Sequence, residues 1–294
     1  MKCPACGDTI NKVKPHLKSS FKLDIVRKIG LWACHCEQKF YYFSDEERLN
    51  VNSLYDDNYA GFRVDEVFKA RIDLEIIQHI EPLLTSSCKV LDVGCGNGQF
   101  AVQMKNAGYD VQGIDFSESA VYLCSSRGIP AVAGDFLTHS FNTTFKCCSM
   151  FDVLEHLDQP LLFVKRACEL LDDDGVLILK IPAYGRLNFI FLSVFKTLAP
   201  FFLDAPAHMQ FFTKNSTKKM LVTAGFKDIR FFRGGIFRGK PETTSFKRKL
   251  SRIIRRLIYL VSGNYNIYCF ASASSLNINS LSVADNNELK SKAY

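Results

Sequence analysis

Lys89-Val-Leu-Asp-Val-Gly-Cys-Gly-Asn-Gly-Gln-Phe100 carries the strongest fold signal in this chain. A short apolar strand pattern runs into three glycines, Gly94, Gly96 and Gly98, and a helical pattern follows. Glycines there let a ligand approach the backbone, because no Cβ stands in the way. The G-x-G-x-G spacing differs from the dinucleotide fingerprint, and Asp92 would oppose a phosphate. The loop therefore favours a ligand with a cationic group over a pyrophosphate.

Strand and helix patterns alternate along the chain after this loop. We predict strands over 89–93, 110–114, 131–133, 145–150, 176–181, 227–232 and 266–271. Helical patterns cover 65–84, 100–107, 118–127, 160–171 and 213–224. The alternation predicts an α/β fold with a seven-stranded, mostly parallel, Rossmann-like sheet and helices on both of its faces.

The composition is that of an ordinary globular chain. Hydrophobic residues make up 47% of the 294 residues and charged residues 23%, which excludes global disorder. The longest nearly apolar stretch, 187–203, is interrupted by Asn188, Lys196 and Pro200, so it is a poor transmembrane span. The N-terminus lacks the apolar run of a secretory signal. We therefore expect a cytoplasmic protein.

Acidic residues follow the second and third predicted strands. Asp115 closes the second strand, where a carboxylate can accept hydrogen bonds from a ribose diol. Gly134-Asp135-Phe136 follows the third strand. Together with the glycine loop, these motifs resemble the class I S-adenosylmethionine-dependent methyltransferases, over roughly residues 83–273. The alternative is a glycine-rich strand end in a sheet that binds another nucleotide.

The resemblance implies that S-adenosylmethionine is the cofactor. Asp92 and the glycine loop would flank its methionine part, and Asp115 would hold its ribose hydroxyls. Asp135 and the backbone of Phe136 would contact its adenine. The implied cofactor-binding residues are Asp92, Gly94, Cys95, Gly96, Asn97, Gly98, Asp115, Phe116, Asp135, Phe136 and Asp152.

The segment Asp152-Val-Leu-Glu-His-Leu-Asp-Gln-Pro160 follows the fourth predicted strand. It resembles a subgroup that contains ubiquinone-biosynthesis O-methyltransferases and many methyltransferases of surface-polysaccharide pathways. In that subgroup the acid and the Glu-His pair face the substrate end of the cofactor. His156 is a candidate general base, because histidine titrates near neutral pH, or else it only hydrogen-bonds the loop below it. Glu155 is a candidate loop-ordering residue or cofactor contact.

His208, shortly before the last large helix, is a third candidate catalytic residue beside Glu155 and His156. By the same resemblance it orients the substrate or caps a lid; the alternative is an ordinary histidine at a helix start. The insertion over 183–212 is rich in phenylalanine, and we interpret it as a hydrophobic lid over the substrate, or else as core. Such a lid favours an acceptor with an apolar or lipid part.

Four of the eleven cysteines form two pairs near the N-terminus. Cys3-Pro-Ala-Cys6 and Cys34-His-Cys36 resemble the two knuckles of a zinc ribbon, here over residues 1–45. The four thiolates fit tetrahedral zinc in a closed structural site; they belong to Cys3, Cys6, Cys34 and Cys36. Because the second pair is one residue shorter than usual, His35 or His16 is an alternative ligand. The other alternative is a ribbon that keeps its fold without metal.

Positive charge is concentrated towards the C-terminus. The net charge is +7, yet residues 227–256 carry +9 from eleven Lys/Arg and two acids, so the remainder sums to −2. In the predicted amphipathic helix 240–262, the span 246–261 has one apolar face, which suits contact with an anionic membrane surface or packing on the domain. The domain limits are residues 46–84 for a connector and first helix, 85–273 for the methyltransferase domain and 274–294 for a disordered tail.

The combined patterns predict an enzyme that transfers a methyl group to a small-molecule or lipid-linked acceptor. By resemblance, the favoured acceptor is a carbohydrate or glycolipid intermediate of surface-polysaccharide biosynthesis. An RNA methyltransferase with a zinc ribbon is an alternative, disfavoured because the chain outside 227–256 lacks the broad basic surface that RNA requires. A non-catalytic adaptor with the same fold is another, against which the intact Asp92, glycine loop and Asp115 argue.

Overall fold

The computed structural model describes residues 2–10, 31–41, 76–184, 208–232 and 266–274. Ten strands are described: β1 (Leu31–Ala33), β2 (Lys39–Tyr41), β3 (Lys89–Val93), β4 (Asp110–Asp115), β5 (Ala131–Ala133), β6 (Phe145–Phe151), β7 (Leu171–Pro182), β8 (Gln210–Phe211), β9 (Asp228–Phe232) and β10 (Asn266–Ser272). Four helices of eight residues or more are described with both ends: α1 (Gln99–Asn106), α2 (Glu118–Ser126), α3 (Pro160–Leu170) and α4 (Lys214–Ala224).

Seven strands form one sheet in the order β5-β4-β3-β6-β7-β10-β9. The first five run parallel, and β10 is antiparallel to both of its neighbours. This confirms the predicted seven-stranded, mostly parallel sheet. The largest difference from the predicted boundaries is at β7, which begins five residues early because Leu171 pairs with Phe145 before a register shift.

The sheet separates two apolar clusters, one on each face. Successive residues of β7 show this best: Leu177 and Leu179 belong to one cluster, whereas Val176 and Ile178 belong to the other. Side chains alternate across a strand, so a strand with helices on both sides is apolar along its whole length. Helices α3 and α4 contribute to the first cluster, and α1 and α2 to the second. The predicted helices on both faces are therefore present.

Local signals explain where α2 and α4 begin and end. The Thr213 hydroxyl accepts a hydrogen bond from the Ser216 backbone, and the Ser216 hydroxyl accepts one from the Thr213 backbone, so two N–H groups at the start of α4 are satisfied. Gly225 ends that helix in the left-handed conformation, with φ of 111°. The hydroxyl of Ser117 caps α2 in the same way, accepting from Ala120.

A second, three-stranded sheet joins the N-terminal cysteine segment to the rest of the molecule. Its order is β1-β2-β8, and β2 pairs antiparallel with β8. The backbone N–H of Leu161, at the start of α3, also donates a hydrogen bond to the carbonyl of Pro4, at 3.3 Å. The four cysteines of the N-terminal pairs belong to the same apolar cluster as α3 and α4. We call residues 2–10 and 31–41 the cysteine module. The module thus packs on the large sheet, and its strand β2 pairs with β8.

Several predictions concern residues outside those described. They are His16, the connector up to residue 75, residues 185–207 of the insertion, the basic helix 240–262 and the tail after residue 274. Of the predicted first helix, residues 76–84 are described: residues 76–80 are α-helical, and a 3-10 turn, Glu81–Leu83, follows them. Among the described helices, none combines the length and apolar character needed to cross a membrane.

Candidate active site

The glycine loop between β3 and α1 needs glycine for its backbone conformation and for close packing. Gly94, Gly96 and Gly98 have φ angles of 69°, 55° and 77°, in the left-handed region where side chains are strained. A Cβ on Gly94 would lie 2.5 Å from Cγ2 of Val153, and one on Gly98 would lie 2.7 Å from Sγ of Cys124. The loop therefore lies directly against α2 and the segment after β6.

Two carboxylates lie next to this loop, and one of them holds it in place. Asp92, at 3% exposure, accepts a hydrogen bond from the hydroxyl of Ser149 at 2.7 Å. Asp115 accepts one from the backbone N–H of Gly96 at 2.8 Å and one from that of Ser117 at 3.0 Å, through different oxygens. A carboxylate has about four acceptor positions, so Asp115 can also accept from two ligand hydroxyls. The expected ribose-binding acid is thus fixed beside the loop.

The other loop residues contribute mainly through their backbones. Cys95 is 6% exposed, and a hydrogen bond with the Cys124 thiol, followed by burial, raises the pKa of Cys95. Its side chain is therefore a neutral thiol in the core. The side-chain oxygen of Asn97 accepts from the N–H of Gln99 at 3.3 Å, at the start of α1.

The ends of β4 and β5 meet at the same edge of the sheet. The N–H of Gly134 donates to the carbonyl of Asp115 at 2.9 Å, which brings Asp135 next to the acid of β4. Phe116 is 71% exposed, a large apolar ring with the position and character to stack on a flat base. The ring of Phe136 is buried against Phe163, with centroids 5.5 Å apart, so only its backbone is available to a ligand.

Asp152 begins the turn after β6 in a left-handed conformation, with φ of 55°. Its carboxylate forms an ion pair with Lys180 of β7 at 2.5 Å, and its N–H donates to the Lys180 carbonyl. Lys180 was not among the residues singled out from the sequence. The pair anchors the turn to β7, so the carboxylate expected at the cofactor already has a cationic partner.

Glu155 is completely buried beside this ion pair. Among the described residues, neither of its carboxyl oxygens has a hydrogen-bond partner, and Nε2 of His156 lies 3.9 Å from Oε1. Burial, and secondly the negative charge of Asp152, raises the pKa of Glu155 well above its usual range. Burial therefore favours the neutral acid form of Glu155 over the carboxylate form that a base requires. Its backbone carbonyl accepts a hydrogen bond from the N–H of Met209 at 2.8 Å.

The two candidate histidines come together although they are far apart in the sequence. The ring centroids of His156 and His208 are 4.8 Å apart, at an interplanar angle of 63°. The hydroxyl of Tyr184 lies 3.0 Å from Nδ1 of His208. The ligand atoms of Glu155, His156 and His208 lie within 4.8 Å of one another, a spacing that a divalent cation would accept.

Tyr184 is the main residue of this cluster that the sequence analysis missed. It lies 4% exposed just past the carboxyl end of β7, and its N–H donates to the carbonyl of Phe212 at 2.7 Å. Ligands of open α/β sheets bind outside the carboxyl ends of the strands, so a tyrosine at the end of a predicted strand was an available signal.

The four N-terminal thiols form a compact group. Sγ of Cys3 lies 3.7 Å from that of Cys36, Sγ of Cys6 lies 3.6 Å from that of Cys34, and all four fall within 4.8 Å. Tetrahedral zinc with Zn–S bonds of about 2.3 Å places its sulfurs about 3.8 Å apart. The observed spacing therefore fits a four-thiolate site.

The thiols of this group differ in their pKa: burial raises the pKa of Cys6 to about 12, and the Cys3 thiol, followed by burial, raises the pKa of Cys36. A hydrogen bond with the Cys36 thiol, together with backbone N–H groups of Cys6 and Ala5, lowers the pKa of Cys3 to about 5. Both knuckles turn through a left-handed residue, Gly7 at φ 76° and Glu37 at φ 71°. The shorter second pair thus keeps the knuckle turn without a glycine.

His35, an alternative ligand in the sequence analysis, lies at the edge of the thiol group. Its Nε2 is 3.0 Å from the carboxylate of Asp8, and its Nδ1 is 3.7 Å from Sγ of Cys34. One ring nitrogen thus faces the carboxylate and the other faces a sulfur, so His35 lies outside the four thiols, between Asp8 and Cys34. The other alternative ligand, His16, lies outside the described residues.

Comparison with known proteins gives relatives of one kind. The sequence profile of the family described as "Methyltransferase domain" matches residues 66–230. A ubiquinone biosynthesis O-methyltransferase of Psychrobacter arcticus is 29% identical over 152 residues, which are 47% of this chain and 58% of that protein. One from Ralstonia nicotianae is 32% identical over 110 residues, 35% of this chain and 45% of that protein. The chain spans about half the length of the curated relatives it matches.

Solved structures agree at the level of the fold. A SAM-dependent methyltransferase from Archaeoglobus fulgidus is similar with a TM-score of 0.52 at 18% identity, covering 75% of this chain and 98% of that one. Magnesium protoporphyrin IX methyltransferase from Synechocystis, with bound SAH, has a TM-score of 0.52 at 17% identity. The match covers 76% of this chain and 100% of that one. The profile match extends over more than half of the chain, through the glycine loop, both β-strand acids and the histidine turn. The chain belongs to the class I S-adenosylmethionine-dependent methyltransferase family.

Proposed function

We propose that this chain transfers a methyl group from S-adenosylmethionine to a hydroxyl group of a small-molecule or lipid-linked acceptor. The observation that carries the proposal is the contact between the two halves of the site. Gly94 of the cofactor loop packs on Val153, in the turn that presents His156. A cofactor on the loop and an acceptor at the histidines would thus be neighbours, as direct transfer between them requires.

The chain's own residues supply binding, orientation and a proton acceptor. S-adenosylmethionine, when bound, supplies a methyl group on a positively charged sulfur. Asp115 holds the ribose hydroxyls, and the exposed ring of Phe116 stacks on the adenine. Asp92, buried under the loop, provides negative charge on the side of the methionine part. Positioning and exclusion of water account for most of the acceleration expected of such a site.

Methylation of a hydroxyl also requires that its proton be removed. His156 is the proposed base, at the edge of a ring pair with His208, whose Nδ1 meets the hydroxyl of Tyr184. This pairing places His208 against the proposed base, so His208 and Tyr184 help to orient the ring of His156. Burial favours the neutral form of Glu155, and its backbone contact with Met209 helps to keep the turn in place.

For the acceptor we propose a carbohydrate or glycolipid intermediate of surface-polysaccharide biosynthesis. The turn Asp152-Val-Leu-Glu-His156 supports this class because it resembles the turn in methyltransferases of those pathways. The relatives named as ubiquinone biosynthesis O-methyltransferases support an oxygen acceptor on a small molecule, since that is what their names describe. We also propose a structural zinc on the four N-terminal thiolates, supported by their spacing.

The test is to identify the methylated product directly. The full chain is incubated with methyl-labelled S-adenosylmethionine and three extract fractions: nucleotide sugars, lipid-linked sugars with quinone precursors, and total RNA. Mass spectrometry then identifies labelled molecules. Label in a sugar or glycolipid hydroxyl supports the proposal, label in a quinone precursor corrects the acceptor class, and label in RNA contradicts it. The Asp115→Ala variant serves as the control for label that does not depend on the cofactor site.

A further inference from the structure

We infer that the cysteine module is a positioning part of the active site, and that Gln38 and Gln210 connect its thiol group to His208. The inference rests on the proposed function, because it concerns a histidine that the proposal places at the acceptor. It extends that function, because a divalent metal on the four thiolates would affect turnover by holding the active-site segment in position. The metal itself would not take part in the reaction. The carrying observation is one continuous set of buried hydrogen bonds.

The first part of this connection lies within the module. The N–H of Cys34 donates to the backbone carbonyl of Gln38 at 2.8 Å, in the turn that holds the second thiol pair. The side-chain amide of Gln38 then donates to Oε1 of Gln210 at 3.0 Å. Gln38 is 0% exposed and Gln210 is 1% exposed. A hydrogen bond between two buried amides is costly to break, because each leaves a polar group without water.

The second part lies at the active site. The side-chain amide of Gln210 donates to the carbonyl of Leu157 at 3.1 Å, immediately after His156. One residue earlier, the N–H of Met209 donates to the carbonyl of Glu155 at 2.8 Å. His208 is the next residue back along the chain. The segment 208–210 is therefore held on one side by the histidine turn and on the other by the module.

Within the described residues, the strands that join the module to the active site are short. β8 has two residues, and β1 and β2 have three each, so the three-stranded sheet is small. Such short strands are marginal without a further cross-link, and small modules commonly obtain one from a metal on cysteines. A metal that fixes Cys34 and Cys36 would fix β2, and β2 pairs with β8 through Phe40 opposite Gln210.

The cofactor half of the site lies elsewhere. Asp92 and Asp115 belong to β3 and β4, whereas the module contacts β8 and the start of α3. Loosening the module should therefore reduce turnover and leave cofactor affinity unchanged. A general loss of folding would reduce both, so the split between them separates positioning from stability.

The test uses the full-length, metal-loaded protein with Gln38→Leu, which removes the amide and keeps the bulk. Asn215→Ala is the matched control, because it removes the exposed hydrogen bond from the side-chain amide of Asn215 to the carboxylate of Glu37. That bond joins α4 to the module and does not lead to His208. We expect Gln38→Leu to raise amide hydrogen exchange in residues 208–212 by about 10-fold and to lower kcat by about 10-fold, with the Kd for S-adenosylmethionine within about two-fold. The control should change none of these.

A second arm removes the metal from the wild-type protein with a chelator and restores it with zinc. We expect exchange in residues 208–212 to rise on removal and to fall again on restoration. Unchanged exchange in that segment, after both metal removal and Gln38→Leu, overturns the inference. Should Gln38→Leu fail to fold, the metal arm decides by itself. Hydrogen exchange needs no acceptor, so failure to detect methylation would count against the proposed function and leave this readout intact.

Discussion

The carboxylate of Asp115 serves the loop and, as proposed, the ligand. It already accepts two backbone hydrogen bonds, so the side chain is oriented before any ligand binds. We expect Asp115→Ala to weaken S-adenosylmethionine binding by about 1.5–3 kcal/mol, the usual range for a hydrogen bond to a charged group. Calorimetry measures this. Asp110→Ala, on an exposed residue at the other end of β4, is the control, and unchanged affinity in Asp115→Ala would remove that residue from the ribose site.

A variant of His156 can distinguish two roles for this residue: general base, or stabilisation of the turn after β6. We expect His156→Ala to lower the methylation rate by about 10²-fold or more with nearly unchanged cofactor affinity, because the proton leaves only during transfer. Steady-state kinetics and calorimetry on the same preparation measure the two quantities. Loss of cofactor binding together with rate would indicate bracing instead. Full activity would end the candidacy of His156 and direct attention to His208→Ala.

Glu155 gives a pH-dependent prediction. Its pKa is raised in the folded protein by burial first and by Asp152 second, so folding favours the protonated acid. That stabilisation is complete below the unfolded pKa, about 4.3, and is lost as pH rises towards the folded value, at up to about 1.4 kcal/mol per pH unit. Glu155→Gln is neutral at every pH. Its free energy of unfolding relative to wild type should therefore increase from pH 4.5 to 8 in denaturant titrations; a constant difference would contradict the raised pKa.

At the scale of the elements, the glycine loop and the strands around it were predictable because the signals are local. Strand β3 was predicted over its observed residues, because a short apolar run followed by glycines indicates a strand end without information from the rest of the chain. β8 was missed because two residues have no periodicity; the strand exists only through its partner β2. The pairing of Asp152 with Lys180 was missed for a similar reason, because it depends on how β6 and β7 align.

The loop also yields a prediction about packing. Gly94 and Gly108 both have positive φ, 69° and 95°, but only a Cβ on Gly94 would meet another atom, Val153 at 2.5 Å. We expect Gly108→Ala to lower the free energy of unfolding by about 1–2 kcal/mol, from backbone conformation alone. Gly94→Ala should cost about 1–3 kcal/mol more, from overpacking, and should also weaken cofactor binding. Denaturant titrations compare the two, and equal losses would mean that the contact with Val153 relaxes at no cost.

At the scale of the whole molecule, metal content is the first quantity to measure. We expect the purified protein to carry about one zinc, and Cys3→Ser to release it while the seven-stranded sheet remains folded, because the apolar cluster on one face of that sheet contains none of the four cysteines. Elemental analysis and circular dichroism measure these two properties. The serine variant of the scattered Cys88, outside the thiol group, is the control. Freshly prepared wild type without zinc would contradict the proposed metal site.

Functional residues were predictable from the sequence where they lie at one strand end, and they were not predictable where the site depends on contacts between distant segments. The cofactor loop and its acids were recognisable because each lies next to its own strand. The contact between His156 and His208 was not recognisable, because the sequence identifies each histidine as a separate candidate and gives no distance between the two rings. The connection between the cysteine module and the rest of the chain was likewise invisible, because it consists of contacts between two short segments that carry no pattern of their own.

The shared three-stranded sheet has a consequence for biosynthesis. Gln38 and Gln210 are 172 residues apart in the chain, so the cysteine segment leaves the ribosome long before its third strand exists. At typical translation rates the interval is roughly 10–30 s. During that time the four thiols emerge without the strand that completes their sheet. The cysteine segment is thus completed only after β8 has been synthesised, and its cysteines are open to metal capture or oxidation until then.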